Sequence, residues 1–88
     1  MNSGYRLIYH REAVKFIAKQ DNAIQKRITQ GLKGLLAIPP RGDIKPMKGH
    51  HGLYRLRIGN YRVLFEVQHS EKLIYIQAIG TRSGVYKY

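Results

Sequence analysis

The chain has no cysteine, no tryptophan and little acid: five Asp and Glu stand against sixteen Lys and Arg in 88 residues. Without cysteine there is no disulfide framework, no thiolate nucleophile and no cysteine-held zinc. No apolar run approaches the ~20 residues of a membrane span, and no signal-peptide core opens the chain. The expectation is therefore a cytoplasmic protein with no membrane partner. A Ser-His-Asp arrangement, a phosphate-cradling glycine loop and a paired-carboxylate site are all missing. His50 and His51 are adjacent in a Gly-flanked loop with no second cluster to complete a ligand set. Neither a metal nor a cofactor is expected.

What is present is charge and enough apolar residue to fold. The formal net charge is +11 and hydrophobic residues make up 43% of the chain. That balance supports one folded domain over residues 1–88. A field of this sign draws a small protein towards nucleic acid, an anionic membrane or an acidic partner.

Along the chain, 5–9 reads as a short first strand. Residues 10–20 carry Ala13, Val14, Phe16 and Ile17 at helical spacing, and Asp21-Asn22 breaks the pattern. Either residue of that pair can cap a second helix over 23–36, whose stripe Ile24, Ile28, Leu32 and Leu35 faces the core. Gly31 and Gly34 weaken this helix, which implies close approach to a neighbour. Pro39-Pro40 stops it. The segment 41–51 reads as a polar loop, 68–72 as a turn, and 73–79 as an interior strand covered on both faces. Residues 80–84 break that strand before Val85-Tyr86-Lys87-Tyr88. The expected order is β-α-α-β-β-β, an α+β fold with two helices on one face of a small, mostly antiparallel sheet.

The most informative stretch runs Gly-Leu-Tyr-Arg-Leu-Arg-Ile-Gly-Asn-Tyr-Arg-Val-Leu-Phe-Glu, from Gly52 to Glu66. Two alternating runs flank Gly59-Asn60, a two-residue linker suited to a tight hairpin with positive φ. A two-residue turn sets Ile58 against Tyr61, Arg57 against Arg62, Leu56 against Val63 and Arg55 against Leu64. Tyr54, Leu56, Ile58, Tyr61, Val63 and Phe65 then share an apolar face, and Arg55, Arg57 and Arg62 share the other. Like charges directly opposite are destabilising, and a site for a polyanion is the reason to keep them. Lys45 and Lys48 add to the same field. Glu66 sits diagonal to Arg55, where an ordinary surface ion pair is expected.

This hairpin, with Ile-Gly-Thr-Arg-Ser-Gly-Val-Tyr near the end, resembles the RelE/ParE superfamily, the toxins of type II toxin–antitoxin modules. The resemblance spans essentially the whole chain. RelE-like members are metal-independent endoribonucleases that cut mRNA in the ribosomal A site, whereas ParE-like members poison DNA gyrase. By that resemblance Arg55 and Arg57 stand where one RelE branch has two lysines, the second of which is a general base. Arg62 matches the next strand's arginine, Arg82 the arginine that acts as general acid, and Tyr86 the tyrosine that stacks on a base. The resemblance thus implies catalytic roles for Arg57, Arg62, Arg82 and Tyr86, and substrate binding by Arg55, Lys45 and Lys48. Two departures are visible. An arginine is effectively never deprotonated, so Arg57 is a poor base, and Thr81 stands where many relatives have His or Lys. Glu66, His50, His51 and Tyr86 remain as proton acceptors. The implied partners are a cognate antitoxin, the ribosome and mRNA. The alternatives are a gyrase inhibitor and a catalytically inactive nucleic-acid-binding module. Ala18, Leu36 and Ile38 are the expected antitoxin contacts.

Overall fold

The computed structural model describes residues 4–49 and 51–81. Its elements are β1 (Arg6–Tyr9), α1 (Arg11–Ala18), α2 (Asn22–Lys33), β2 (Asp43–Pro46), β3 (Leu53–Ile58), β4 (Tyr61–Gln68) and β5 (Leu73–Thr81), with a 3-10 turn, Gly34–Leu36, after α2. The sheet has five strands in the order β1-β5-β4-β3-β2, antiparallel except for β1 alongside β5. The chain starts at one edge, crosses one face as two helices and resumes at the other edge. That single crossing is why both helices cover the same face.

Local chemistry sets the helix boundaries. His10 caps α1 by accepting from the Glu12 amide at 3.1 Å, and Asp21 caps α2 by accepting from the Ile24 amide at 2.9 Å. Ala13, Ile28, Leu32 and Leu35 bury their side chains against Leu56, Ile58, Val63, Phe65, Ile74, Ile76 and Ile79. The expected stripe on the second helix thus faces the core. Gly31 is the point of closest approach: a Cβ there would stand 2.5 Å from the Ile58 Cδ1.

Two of the differences from the sequence reading bear on the site. Residues 43–46 are a strand rather than loop, with Ile44 opposite Leu56. This is a four-residue edge strand with one inward apolar side chain, and Pro46 and Lys45 suit an edge that must not recruit another strand. The last strand continues through Gly80 to Thr81 instead of ending at 79. A register shift at Leu64/Phe65 sets Ile79 opposite Val63 and Ile76 opposite Phe65. One extra residue thereby keeps both isoleucines on the core face, and pairing with β4 holds the glycine extended. Val85 to Tyr88, Arg82, Tyr86 and His50 lie outside the described residues.

Candidate nucleic-acid interface

The β3–β4 register matches the sequence reading pair for pair: Ile58 with Tyr61, Arg57 with Arg62, Leu56 with Val63, Arg55 with Leu64. The turn itself differs in one angle. Gly59 has φ +57 and Asn60 is not in the positive region, so only the first turn position needs glycine.

On the face away from the helices the ladders line up into rows. One row runs Asp43, Arg57, Arg62, Gly80 across β2 to β5. The next runs Lys45, Arg55, Leu64, Ala78. Neighbouring strands are ~4.8 Å apart, so the first row places two guanidinium-bearing residues side by side with a carboxylate at one end. At its other end stands Gly80, which is buried. Lys45 joins the three arginines on this face, and its side chain is exposed.

Depth separates the arginines. Arg57 is exposed, Arg55 half-buried and Arg62 only 8% exposed. The Nε atoms of Arg55 and Arg62 are both withdrawn from solvent. Beside them Leu64 and Ala78 are buried and packed with Met47, a second small apolar cluster on the basic face. Excluding water strengthens every charge interaction there. Because a guanidinium keeps its proton, Arg62 presents a fixed positive charge with little competing solvent.

Of the expected proton acceptors, Glu66 and His51 fall elsewhere, and His50 and Tyr86 lie outside the described residues. Glu66 lies opposite Leu53 and Tyr75 and accepts from the Gln68 amide at 3.4 Å. Four residues along β4 from Arg62, it is roughly 13 Å away at ~3.3 Å per residue. Lys48 and His51 occupy the β2–β3 connection, which meets the sheet at the Leu53 end, away from Arg57. Thr81 pairs with Tyr61, whose ring packs edge-on against Phe16, so Thr81 is on the helix-covered side. The acceptor that the structure does bring beside Arg57 is Asp43, which the sequence reading left in a loop. Its only sequence signal was the Asp-Ile-Lys alternation around one apolar residue.

The three expected antitoxin contacts do not gather in one place. Ile38, 69% exposed, borders an apolar groove of about 380 Å³ with Tyr5, Ile44, Tyr54, Phe65 and Val67. Ala18 borders a separate groove between the helices, and Leu36 packs against the core. No helix among the described residues is long and apolar enough to cross a membrane.

Comparison with known proteins agrees with this architecture. The family described as the ParE toxin of the type II toxin-antitoxin system parDE matches residues 7–86. Toxin RelE3 of Methanocaldococcus jannaschii is 41% identical over 46 residues, 52% of this chain and 50% of the relative. The chain thus spans about half the length of the curated relatives it matches. The archaeal RelE-RelB complex of Pyrococcus horikoshii OT3 superposes with TM-score 0.77 at 30% identity, covering 91% of this chain and 97% of that one. The RelB-RelE complex from Methanococcus jannaschii gives 0.73 at 28%, over 92% and 96%. With a family match over nearly its whole length and these structural neighbours, the chain belongs to the RelE/ParE superfamily of type II toxin–antitoxin toxins.

Proposed function

We propose that this protein is the toxin of a type II toxin–antitoxin module and that it cuts mRNA on the ribosome. The observation that carries the reading is the row in which Arg57 faces Arg62, with Arg55 and Lys45 in the next row of the sheet face away from the helices. Paired guanidiniums bind a phosphate through parallel hydrogen bonds. Fixed donors aimed at the charge that grows on a pentavalent phosphorus stabilise the transition state without reorganising. In this reaction the 2′-hydroxyl loses its proton to solvent as its oxygen attacks phosphorus, the bond to the 5′-oxygen breaks as that oxygen takes up a proton from solvent, and a 2′,3′-cyclic phosphate remains. The guanidiniums supply the charge neutralisation that divalent ions supply in other nucleases. Arg82, by family position, stabilises the charge that grows on the leaving 5′-oxygen, and Tyr86 stacks on a neighbouring base, an interaction of ~1–3 kcal/mol.

The antitoxin is proposed to be acidic and partly disordered when free, folding as it wraps a toxin of charge +11. The two archaeal neighbours are complexes with RelB, which supports a partner of this kind. The apolar groove beside Ile38 offers it a contact surface.

The family match itself, to a ParE description, favours a second reading in which the target is DNA gyrase. Primer extension on mRNA from an in vitro translation reaction, run beside a gyrase supercoiling assay, separates them. Defined cuts in translated mRNA with normal supercoiling support the nuclease. Intact mRNA with blocked supercoiling supports the gyrase reading.

A further inference from the structure

Beyond the arginine row the edge of the sheet opens into a cleft. β2 begins at Asp43, opposite Arg57, so it does not reach alongside Ile58 at the end of β3. The last turns of α2 stand beside this gap. Between them lies a cleft of about 500 Å³ bordered by Gln30, Lys33, Arg41 and Arg57. Gly31, Gly34 and Gly42 also line it, so three of its walls carry no side chain. Gly42 has φ +125, and a Cβ there would meet the Leu56 Cδ1 at 2.7 Å. The Arg41 amide donates to the Gly34 carbonyl at 2.9 Å, which ties the loop bearing Arg41 to the end of α2.

Three cations from three elements border this cleft: Lys33 from the last turn of α2, Arg41 from the loop before β2, and Arg57 from β3. All three are exposed, and among the described residues no acidic side chain lines the cleft. A lysine in a last helical turn has an ordinary use, since it complements the helix dipole, and a single exposed arginine is commonly solvated. Neither use calls for three cations around one glycine-lined cleft with no acid among them. Gathered in this way they repel one another, and a bound anion reverses the sign of that term.

Arg57 belongs both to this cleft and to the row in which it faces Arg62. Arg41 precedes Asp43 by two residues, which places its backbone within ~7 Å of that row. The two anion sites are therefore continuous. We propose that the cleft is a second RNA-backbone site, which takes a phosphate of the strand next to the one held between Arg57 and Arg62. The inference deepens the nuclease reading given above and rests on it. Charge and the Gln30 amide hold a phosphodiester without touching a base edge, so the cleft adds affinity and sets the course of the strand but reads no sequence.

The test is an NMR titration of the full-length protein with 2′-O-methylated RNA, which cannot be cut, as a dinucleotide and as a hexanucleotide. The dinucleotide should shift the amides of Arg57 and Arg62, and only the hexanucleotide should also shift those of Gly34 and Gly42. Lys33→Gln/Arg41→Gln should bind the dinucleotide as the wild type does. On the hexanucleotide it should lose about fivefold at 0.1 M salt, with a salt slope shallower by about 0.7, the counterion term for one phosphate of a single strand. Lys33→Arg/Arg41→Lys should keep the wild-type affinity. Arg11→Gln/Lys19→Gln makes the same charge change on exposed residues of α1, which packs over β5, and should lose less. A loss no greater than this control's, or one as large on the dinucleotide, overturns the proposal, because only the general field has then changed. Weaker binding to vacant ribosomes with unchanged binding of the hexanucleotide also overturns it, in favour of ribosomal RNA. Unchanged RNA binding with weaker binding of an acidic antitoxin overturns it in favour of that partner. Wild-type protein that leaves translated mRNA intact and blocks supercoiling removes the nuclease reading itself, an outcome of separate assays and distinguishable from all of these.

Discussion

Arg57 and Arg62 face each other directly across the β3–β4 ladder, and Arg57 has Asp43 on its other side. The like-charge pair is therefore set against an opposite-charge pair in the same row. Each kind of cross-strand pair is worth roughly 0.2–1 kcal/mol, so the two partly cancel in the free protein. Binding a phosphate between the arginines converts the unfavourable pair into a favourable one.

Arg62→Gln consequently separates clamp from scaffold. It removes a cross-strand repulsion while glutamine keeps a hydrogen-bonding side chain, so thermal stability is expected to hold or rise by about 0.2–1 kcal/mol. Cleavage should fall by roughly 100-fold or more, the scale for one lost donor in a preorganised site. Thermal melts and single-turnover cleavage on the same preparation check this. Stability and activity falling together would show that Arg62 holds the fold. Arg82→Ala should lose activity comparably, while Lys45→Ala should weaken binding only mildly.

Asp43→Asn has the opposite stability sign. Removing the carboxylate leaves the arginine pair uncompensated, and a loss of about 0.2–1 kcal/mol follows. The loss should shrink in high salt, because Asp43 and Arg57 are both exposed. Chemical denaturation at low and high ionic strength measures it, and a salt-independent loss would assign Asp43 a packing role instead.

How much of this was legible in the sequence depends on the kind of signal each part carries. The hairpin was readable because a period of two and a Gly-Asn linker fix the register together, and with it the shared face of Arg55, Arg57 and Arg62. The edge strand was not. Asp43-Ile44-Lys45-Pro46 has one apolar residue and is held by backbone pairing to β3, which no side-chain pattern announces. Missing the strand meant missing Asp43 as a neighbour of Arg57. The depth of Arg62 was also hidden: Leu64 and Ala78 in the next row are buried as well, and no side-chain pattern announces that. Gly80 looked like a strand breaker, yet its place opposite Arg62 is paired on β4.

Gly31 gives a packing prediction. Alanine there gains up to ~1 kcal/mol of helix propensity. Its Cβ, however, would stand 2.5 Å from the Ile58 Cδ1 and 2.9 Å from Cγ1. Overpacking of this kind costs about 1–3 kcal/mol, so Gly31→Ala should be net destabilising in urea titration. Adding Ile58→Val removes the nearer clashing atom, and the double variant should be more stable than the two single losses predict. Strict additivity would mean that α2 and β3 move apart instead.

Tyr9 gives a pH prediction. Burial raises its hydroxyl pKa above the ordinary tyrosine value of 10.0. The unfolded chain therefore ionises this tyrosine first. Its contribution to stability is intact below about pH 10 and is lost as pH climbs through the folded-state value. Tyr9→Phe should melt with a shallower decline above pH 10 than the wild type, and parallel declines would rule out the contribution.

Cutting of RNA by the arginine face is tested by mapping the 3′ ends of mRNA after translation in vitro with wild-type protein and with Arg57→Gln/Arg62→Gln. The account predicts defined ends carrying 2′,3′-cyclic phosphate with the wild type, and loss of those ends with a variant that still folds. Wild-type protein that leaves the mRNA intact, or a double variant that cuts as well as the wild type, would contradict it.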